Sequence, residues 1–418
     1  MDAFQIAMIV LGGLLVIGAL LSGLTNRSFL SLTALYVLAG FALGQGGLGV
    51  LDFSAREQFV SDLAVIALVV ILFRDGLEID GELLQREWRL PLRKLILAMP
   101  ITAAIVALAA HWIVGLDWLE SCLLGALLSP TDPVLSSAVV TNPRVPRLVR
   151  HSLNLESGLN DGLALPPVLA FSAALAVGQS DFVWWRFILE DVTIGFAAGF
   201  AIGYGASVLL PRHGTLERGI ADHQKVLYAI GVALLTYGVL AYGGHGNPFI
   251  AVYVCAITLG VRRPDLRGYV EAGASEIVEI VKLGVFVVFG AILTLDGLFQ
   301  DGWTAVAFML VTLLIARPVA IWIALIGTRT PLDRQTKAFM AWFGPKGVAT
   351  MTYSLFILGE GIPGAGEITN LAAMCVVTSI IAHGLTDTPG SEWMARHAER
   401  VRRRARSRGE PEPAAAVA

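Results

Sequence analysis

Apolar residues along this chain do not alternate with polar ones at the period of a strand. They run in repeated blocks of roughly 18–25 residues, each long enough to cross about 30 Å of hydrocarbon as a helix. Thirteen such spans are predicted, at 3–24, 28–46, 59–73, 90–114, 118–140, 151–177, 185–210, 224–243, 247–261, 277–295, 303–327, 335–358 and 367–386. The pattern therefore predicts an all-α polytopic membrane protein. Two spans are interrupted within their apolar run, the fifth by S-P-T-D-P and the twelfth by F-G-P-K-G. A proline inside a helix removes a backbone donor and clashes with the preceding turn, so these helices must open. Interrupted helices seven spans apart fit two inverted six-helix repeats joined by one linking helix, with a site where the interruptions cross.

Composition excludes a soluble domain. The 418 residues are 56% hydrophobic and 15% charged, against about 45–50% and about 25% in soluble domains, and mean hydropathy is +0.70. Cys122, Cys255 and Cys375 lie inside apolar runs without CxxC spacing, as small core residues do. Met1-Asp2 supplies no basic region ahead of span 1, so that span is expected to be retained rather than cleaved. The distribution of charge says more than the net −3. Of the 30 Lys and Arg residues, 25 fall on alternate connections or on the tail, and only Arg56 and Arg186 on the opposite ones. Cytoplasmic loops carry this excess, which places the N-terminus outside and the C-terminus in the cytoplasm. Residues 1–391 thus form the membrane domain. Residues 392–418, R-V-R-R-R-A-R-S-R followed by P-E-P-A-A-A-V-A, are expected to be a disordered basic tail held near anionic lipid.

Five ionisable residues then stand out within the spans: Asp132, Glu156, Asp161, Arg317 and Lys346. Each costs about 2.5–3.5 kcal/mol to insert at mid-membrane, so each requires a partner or a task. Asp132 sits at the first break, where an unwound backbone and a carboxylate offer the hard oxygen ligands that small cations need. In N-L-E-S-G-L-N-D-G at 154–162, the helical period divides the polar residues. Ser157 and Asp161 share one stripe and form a ligand face. Glu156 and Asn160 share another and form a structural face. Gly158 and Gly162 form a third, at the spacing that admits a neighbouring helix. Glu156, not needed on the ligand face, is expected to pair with Arg317, and Lys346 to balance half-helix ends and carboxylates. Lys282 is expected to pair with Glu279 or to snorkel, His111, His245 and His383 to be interfacial, and Asp75 and Glu78 to be loop charges, with a role at the cytoplasmic funnel as the alternative.

S-P-T-D-P-V, E-S-G-L-N-D-G, mid-helix Arg317 and G-P-K-G, in this order, resemble the NhaP/NHE-type monovalent cation/proton antiporters. The resemblance implies a homodimer in the cell membrane, with a moving core of spans 4–6 and 11–13 beside a dimerisation part of spans 1–3 and 7–10. It implies Thr131, Asp132, Ser157 and Asp161 as ligands of Na⁺, or of Li⁺ or K⁺, and Glu156–Arg317 as a structural pair. Asn160 before Asp161 resembles the electroneutral branch, and Lys346 departs from the arginine many members carry. The expected activity is one-for-one exchange of a cation for H⁺ at Asp161, without cofactor, enzymatic chemistry or nucleic acid. A cation channel is the alternative. An intramembrane aspartyl protease would explain Asp132 and Asp161 but not Arg317, Lys346 or the absence of G-x-G-D.

Overall fold

Within hydrocarbon every backbone N–H and C=O must be satisfied inside the chain, and long apolar runs meet that condition as helices. The computed structural model describes residues 3–25, 32–54, 57–79, 89–132, 137–178, 181–211, 221–328 and 332–407. They form helices and no strand among the described residues. In chain order these are α1 (Ala3–Thr25), α2 (Leu32–Leu43), α3 (Gln58–Glu78), α4 (Leu90–Val114), α5 (Trp118–Leu127), α6 (Ser137–Thr141), α7 (Arg147–Val177), α8 (Trp184–Leu209), α9 (Asp222–Gly243) and α10 (Pro248–Arg262). They continue as α11 (Asp265–Gly273), α12 (Ser275–Ile292), α13 (Gly302–Ala324), α14 (Arg334–Trp342), α15 (Val348–Gly359) and α16 (Ala365–Ser407). Among the described residues, α4, α7, α8, α9, α13 and α16 are long and apolar enough to cross a membrane, and shorter apolar helices lie within α1, α2, α5, α10 and α15.

Local chemistry sets the ends. The side chain of Asn247 accepts from the N–H groups of Phe249 and Ile250 at 3.0 and 3.2 Å, ahead of Pro248. That arrangement starts α10 where two otherwise orphaned donors need an acceptor. Both expected breaks appear. The fifth span leaves the helix after Leu127, and the twelfth is extended from Phe343 to Gly347 between α14 and α15. Pro133 lies outside the described residues.

Two elements run further than hydropathy indicates. α3 continues through Arg74, Asp75 and Glu78, because Arg74 pairs with both acids at 2.8 and 3.4 Å and keeps the charges on the helix. The tail is the second case. Residues 392–407, expected to be disordered, instead complete the 43-residue helix α16. Its Arg, Ala and Glu residues are good helix formers, and His397 meets the carboxylate of Asp333 at 2.5 Å while Trp393 stacks on Phe339. At 1.5 Å per residue α16 is roughly 65 Å long, about twice the hydrocarbon thickness. Residues 408–418 lie outside the described residues.

Apolar burial cannot drive association between helices already in lipid, so close packing of small residues takes its place. α8 and α10 meet along Gly195, Gly199 and Gly203, which face Asn247, Ala251 and Cys255 at the same four-residue spacing. A Cβ on Gly199 would lie 2.3 Å from the carbonyl oxygen of Ala251, and one on Gly203 2.5 Å from that of Cys255. α2 and α12 use the same device: a Cβ on Gly40 would meet the Val287 carbonyl, and one on Gly290 the Val37 carbonyl. α10 is buried along most of its length among α3, α8 and α9.

Gly199→Leu is expected to force α8 from α10 at an overpacking cost of about 1–3 kcal/mol. A melting midpoint several degrees below wild type in detergent would register it. Gly205→Leu, where a Cβ meets no atom within 4 Å, should leave the midpoint unchanged.

Candidate ion-binding site

The two extended segments cross and hold each other through their backbones. The N–H of Asp132 donates to the Pro345 carbonyl at 2.8 Å. Each half-helix end near the crossing is then answered by charge or hydroxyl. Asp132 Oδ2 accepts at 3.2 Å from the N–H of Val348, the first residue of α15, where the helix dipole favours a negative group. The C-terminal carbonyls of the α5 segment face the buried ammonium of Lys346, with Pro130 O at 3.3 Å and Ser129 O at 3.5 Å. Thr350 Oγ1 donates to Leu127 O at 2.8 Å. At the end of α14, Arg317 Nη2 donates to Phe343 O at 3.0 Å. Glycine is needed at two points of this crossing. A Cβ on Gly347 would lie 2.5 Å from the Asp132 carboxylate, and one on Gly344 within 2.0 Å of the Arg317 guanidinium.

α7 distributes its polar residues around the helix. Asn160, buried, donates from Nδ2 to the carbonyl and hydroxyl oxygens of Thr131, each at 2.9 Å, and so fixes the opened backbone beside Asp132. Glu156 Oε1 accepts from Arg317 Nη1 at 2.8 Å, the pair predicted from sequence. Its other oxygen is taken by Lys94 Nζ, which also donates to Ser152 Oγ at 3.2 Å. Lys94, counted with the cytoplasmic connection, is instead 1% exposed. It stands at the start of a wide, π-type turn (Lys94–Ala98), as Arg317 stands at the end of another (Thr312–Ala316). These turns admit an extra residue and redirect the side chains around them. Hydropathy gave no signal for Lys94, because a lysine three or four residues inside a span looks the same whether it snorkels or turns inward.

Asp161 faces a different space. With Asp75, Glu78, Asp132, Arg74 and Lys282 it lines a cavity of about 120 Å³, bounded on α7 by His151, Asn154, Leu155, Gly158 and Leu159. A polar space of that size holds several waters. Asp161 is half-buried, and its carbonyl accepts from Tyr353 Oη at 2.8 Å, which ties α7 to α15. The side chain of Ser157, the other residue expected on this face, lies outside the described residues.

Several expectations are corrected here. Asp75 is not a loop charge: it is 3% exposed within α3 and reaches the same cavity as Asp161. Lys282 does not pair with Glu279, which is exposed; it is buried and turned into the cavity. The glycine stripe on α7 admits a neighbouring helix at only one of its two positions. Gly162 meets the ring of Tyr253 on α10, whose atoms lie 2.1–2.4 Å from a Cβ placed there, and Gly158 opens on the cavity. His383 is not interfacial but buried, with Nε2 at 2.9 Å from Trp342 O and Nδ1 at 2.8 Å from Ser379 O. His245 is exposed in its turn, and His111, part-buried, stacks on Trp118 with centroids 4.0 Å apart.

The chain has counterparts among known proteins. The transmembrane sodium/hydrogen exchanger family matches residues 12–393. The K⁺/H⁺ antiporter NhaP of Alkalimonas amylolytica is 27% identical over 399 residues, which cover 94% of this chain and 68% of that protein. The Na⁺/H⁺ antiporter NhaP of Pseudomonas aeruginosa is 26% identical over 360 residues, covering 80% of this chain and 81% of that one. The structure of the sodium proton antiporter MjNhaP1 from Methanocaldococcus jannaschii at pH 8 shares the fold, with a TM-score of 0.78 at 18% identity over 94% of this chain and all of that one. The chain belongs to the sodium/hydrogen exchanger family, membrane-spanning cation/proton antiporters rather than enzymes.

Proposed function

We propose that this chain exchanges one alkali cation for one proton across the cell membrane, with Asp161 as the group that carries either. The observation that supports this reading is the opening of Asp161 and Asp132 onto one small wet cavity at the crossing of two interrupted helices. Their carboxylates, with the oxygens of Thr131 and the Ser157 hydroxyl, make a hard donor set suited to Na⁺, Li⁺ or K⁺. Asp75, on the facing wall, adds a third carboxylate to the field that draws the cation in. Proton and cation compete for the same oxygens. A loaded or protonated site is neutralised enough to cross, and an empty charged one is held back by the cost of desolvation. Coupling then needs no other energy source. The relatives above are a K⁺/H⁺ and a Na⁺/H⁺ antiporter, and the choice of ion rests on sub-ångström geometry of the ligand cage.

The cavity is lined by Arg74, Glu78, Ile79 and His151, residues close in sequence to the basic connections at 74–94 and 144–150. This favours a cytoplasm-facing state, with the N-terminus outside and thirteen spans. Two inverted repeats are supported by the matching treatment of the two breaks, each with a buried cation at the carbonyl end of its first half-helix: Lys346 for one, Arg317 for the other. The reading includes a homodimer, with spans 1–3 and 7–10 forming its interface.

Proteoliposomes loaded with a pH-sensitive dye, acidified and given Na⁺, K⁺ or Li⁺ in turn, read the activity and the ion together. Wild type should alkalinise on at least one cation. Asp161→Asn should fold, with unchanged elution in detergent, and lose exchange by at least a hundredfold. Retention of wild-type exchange in that variant would refute the assignment.

Glu156 should fail in another way. Its removal strands two buried cations, and breaking a buried pair costs about 3–5 kcal/mol. Glu156→Gln is therefore expected to lower the yield of folded protein and its melting midpoint sharply. Lys94→Met should cost much less, because it leaves a balanced Glu156–Arg317 pair; equal losses from both would contradict this division.

A further inference from the structure

We propose that Lys282 is a tethered competitor of the transported cation: its ammonium, carried on α12, occupies the same carboxylate field and thereby sets how tightly the site holds its ion. The inference rests on the exchange reading above and assigns to one of the cavity walls a part in ion affinity.

The charges of the cavity can be followed one by one. Arg74 is engaged by Asp75 at 2.8 Å and by Glu78 at 3.4 Å. Asp132 accepts from the Val348 N–H. Asp161 and Lys282 remain: among the described residues, neither side chain has a hydrogen bond or an ion-pair contact. A carboxylate and an ammonium thus share one polar cavity without touching. Lys282 is only 6% exposed, so it does not reach out of the protein to bulk water, and the nearest acid in its own helix, Glu279, is exposed on another side.

Lysine suits such a task. Its charge is compact, sits on a flexible four-carbon stem, and is not committed to a fork geometry as arginine is. Attraction between unlike charges persists across several ångströms in a medium of intermediate dielectric. With no ion bound, the ammonium offsets part of the negative field of Asp161, Asp132 and Asp75. An entering alkali cation must displace that compensation and bear repulsion from it. Lys282 need not contact the cation to weaken its binding, so it acts as a positioning and specificity-determining residue rather than as a ligand. A lysine that merely filled space would leave ion affinity unaltered when replaced by methionine of similar length.

The test compares wild type with Lys282→Met, Lys282→Gln and Lys282→Arg. In proteoliposomes, removal of the charge in Met and Gln should lower the apparent KM for the transported cation about threefold to tenfold, while Arg keeps a wild-type KM. Purified protein gives a second readout at fixed pH. The rise in melting temperature on titration with NaCl or KCl, against N-methyl-glucamine chloride as inert cation, should have its midpoint at correspondingly lower salt in the Met and Gln variants. An unchanged or raised KM, with an unchanged midpoint, overturns the proposal, as does an Arg variant that behaves like Met. If wild type exchanges no alkali cation for protons, the exchange reading falls on that result, and the melting titration still decides whether Lys282 weakens cation binding.

Discussion

Opening a helix within hydrocarbon strands backbone donors and acceptors that water would otherwise satisfy, and most of this structure is arranged around meeting that cost twice at one place. Each unsatisfied group costs several kcal/mol in lipid. The two breaks answer each other first, through Asp132 N–H to Pro345 O. The remaining ends draw in side chains from far along the chain: Asp132 to the start of α15, Thr350 and Lys346 to the end of the α5 segment, Arg317 to the end of α14 and Asn160 to Thr131. A site for a cation follows with little addition, since the same opened segment presents oxygens beside a carboxylate.

The ionisable groups fall into two compartments of opposite sense. Around Glu156 cations are in excess, with Lys94 and Arg317 on one carboxylate and Lys346 nearby on carbonyls alone. The surplus is matched by the negative ends of half-helices, which carry about half a charge each. Around Asp161 the balance reverses, with four carboxylates and two cations lining one cavity. In the first compartment Glu156 is held by contact with two cations; the second, around the cavity, is left short of positive charge. Only the second can take up a monovalent cation without breaking bonds that hold helices together.

Periodicity and local chemistry made the helical character, both breaks and the Glu156–Arg317 pair legible in the sequence. The reasons are local: prolines cannot continue a helix, and a mid-span guanidinium requires a carboxylate. What escaped it depends on which way a side chain turns. Lys94, Asp75 and Lys282 each lie near the end of an apolar run, where hydropathy cannot separate a charge that snorkels outward from one that turns inward. The stripe Gly158–Gly162 is a helix contact at Gly162, which meets the Tyr253 ring of α10, while Gly158 opens on the cavity, because a four-residue spacing specifies a face and not its neighbour. The end of α16 was missed for another reason: its charge suggested disorder, whereas contacts of Trp393 and His397 with α14 give the helix something to pack on.

The bonds also bear on which helices travel together in the proposed mechanism. Glu156 joins α7 to α4 through Lys94 and to α13 through Arg317, and Arg317 extends the link to α14. The crossing adds α5 and α15, and His383 on α16 bonds to Trp342 of α14. A displacement that separated any of these helices would expose a buried charge or an orphaned carbonyl, so they favour moving as one body. That set coincides with the proposed core of spans 4–6 and 11–13. α3 and α12 bring Asp75 and Lys282 to the cavity that Asp161 lines. In the proposed mechanism Asp161 faces the cavity between these helices and the core, so that movement of the core would carry a cation bound there from one side of the barrier to the other.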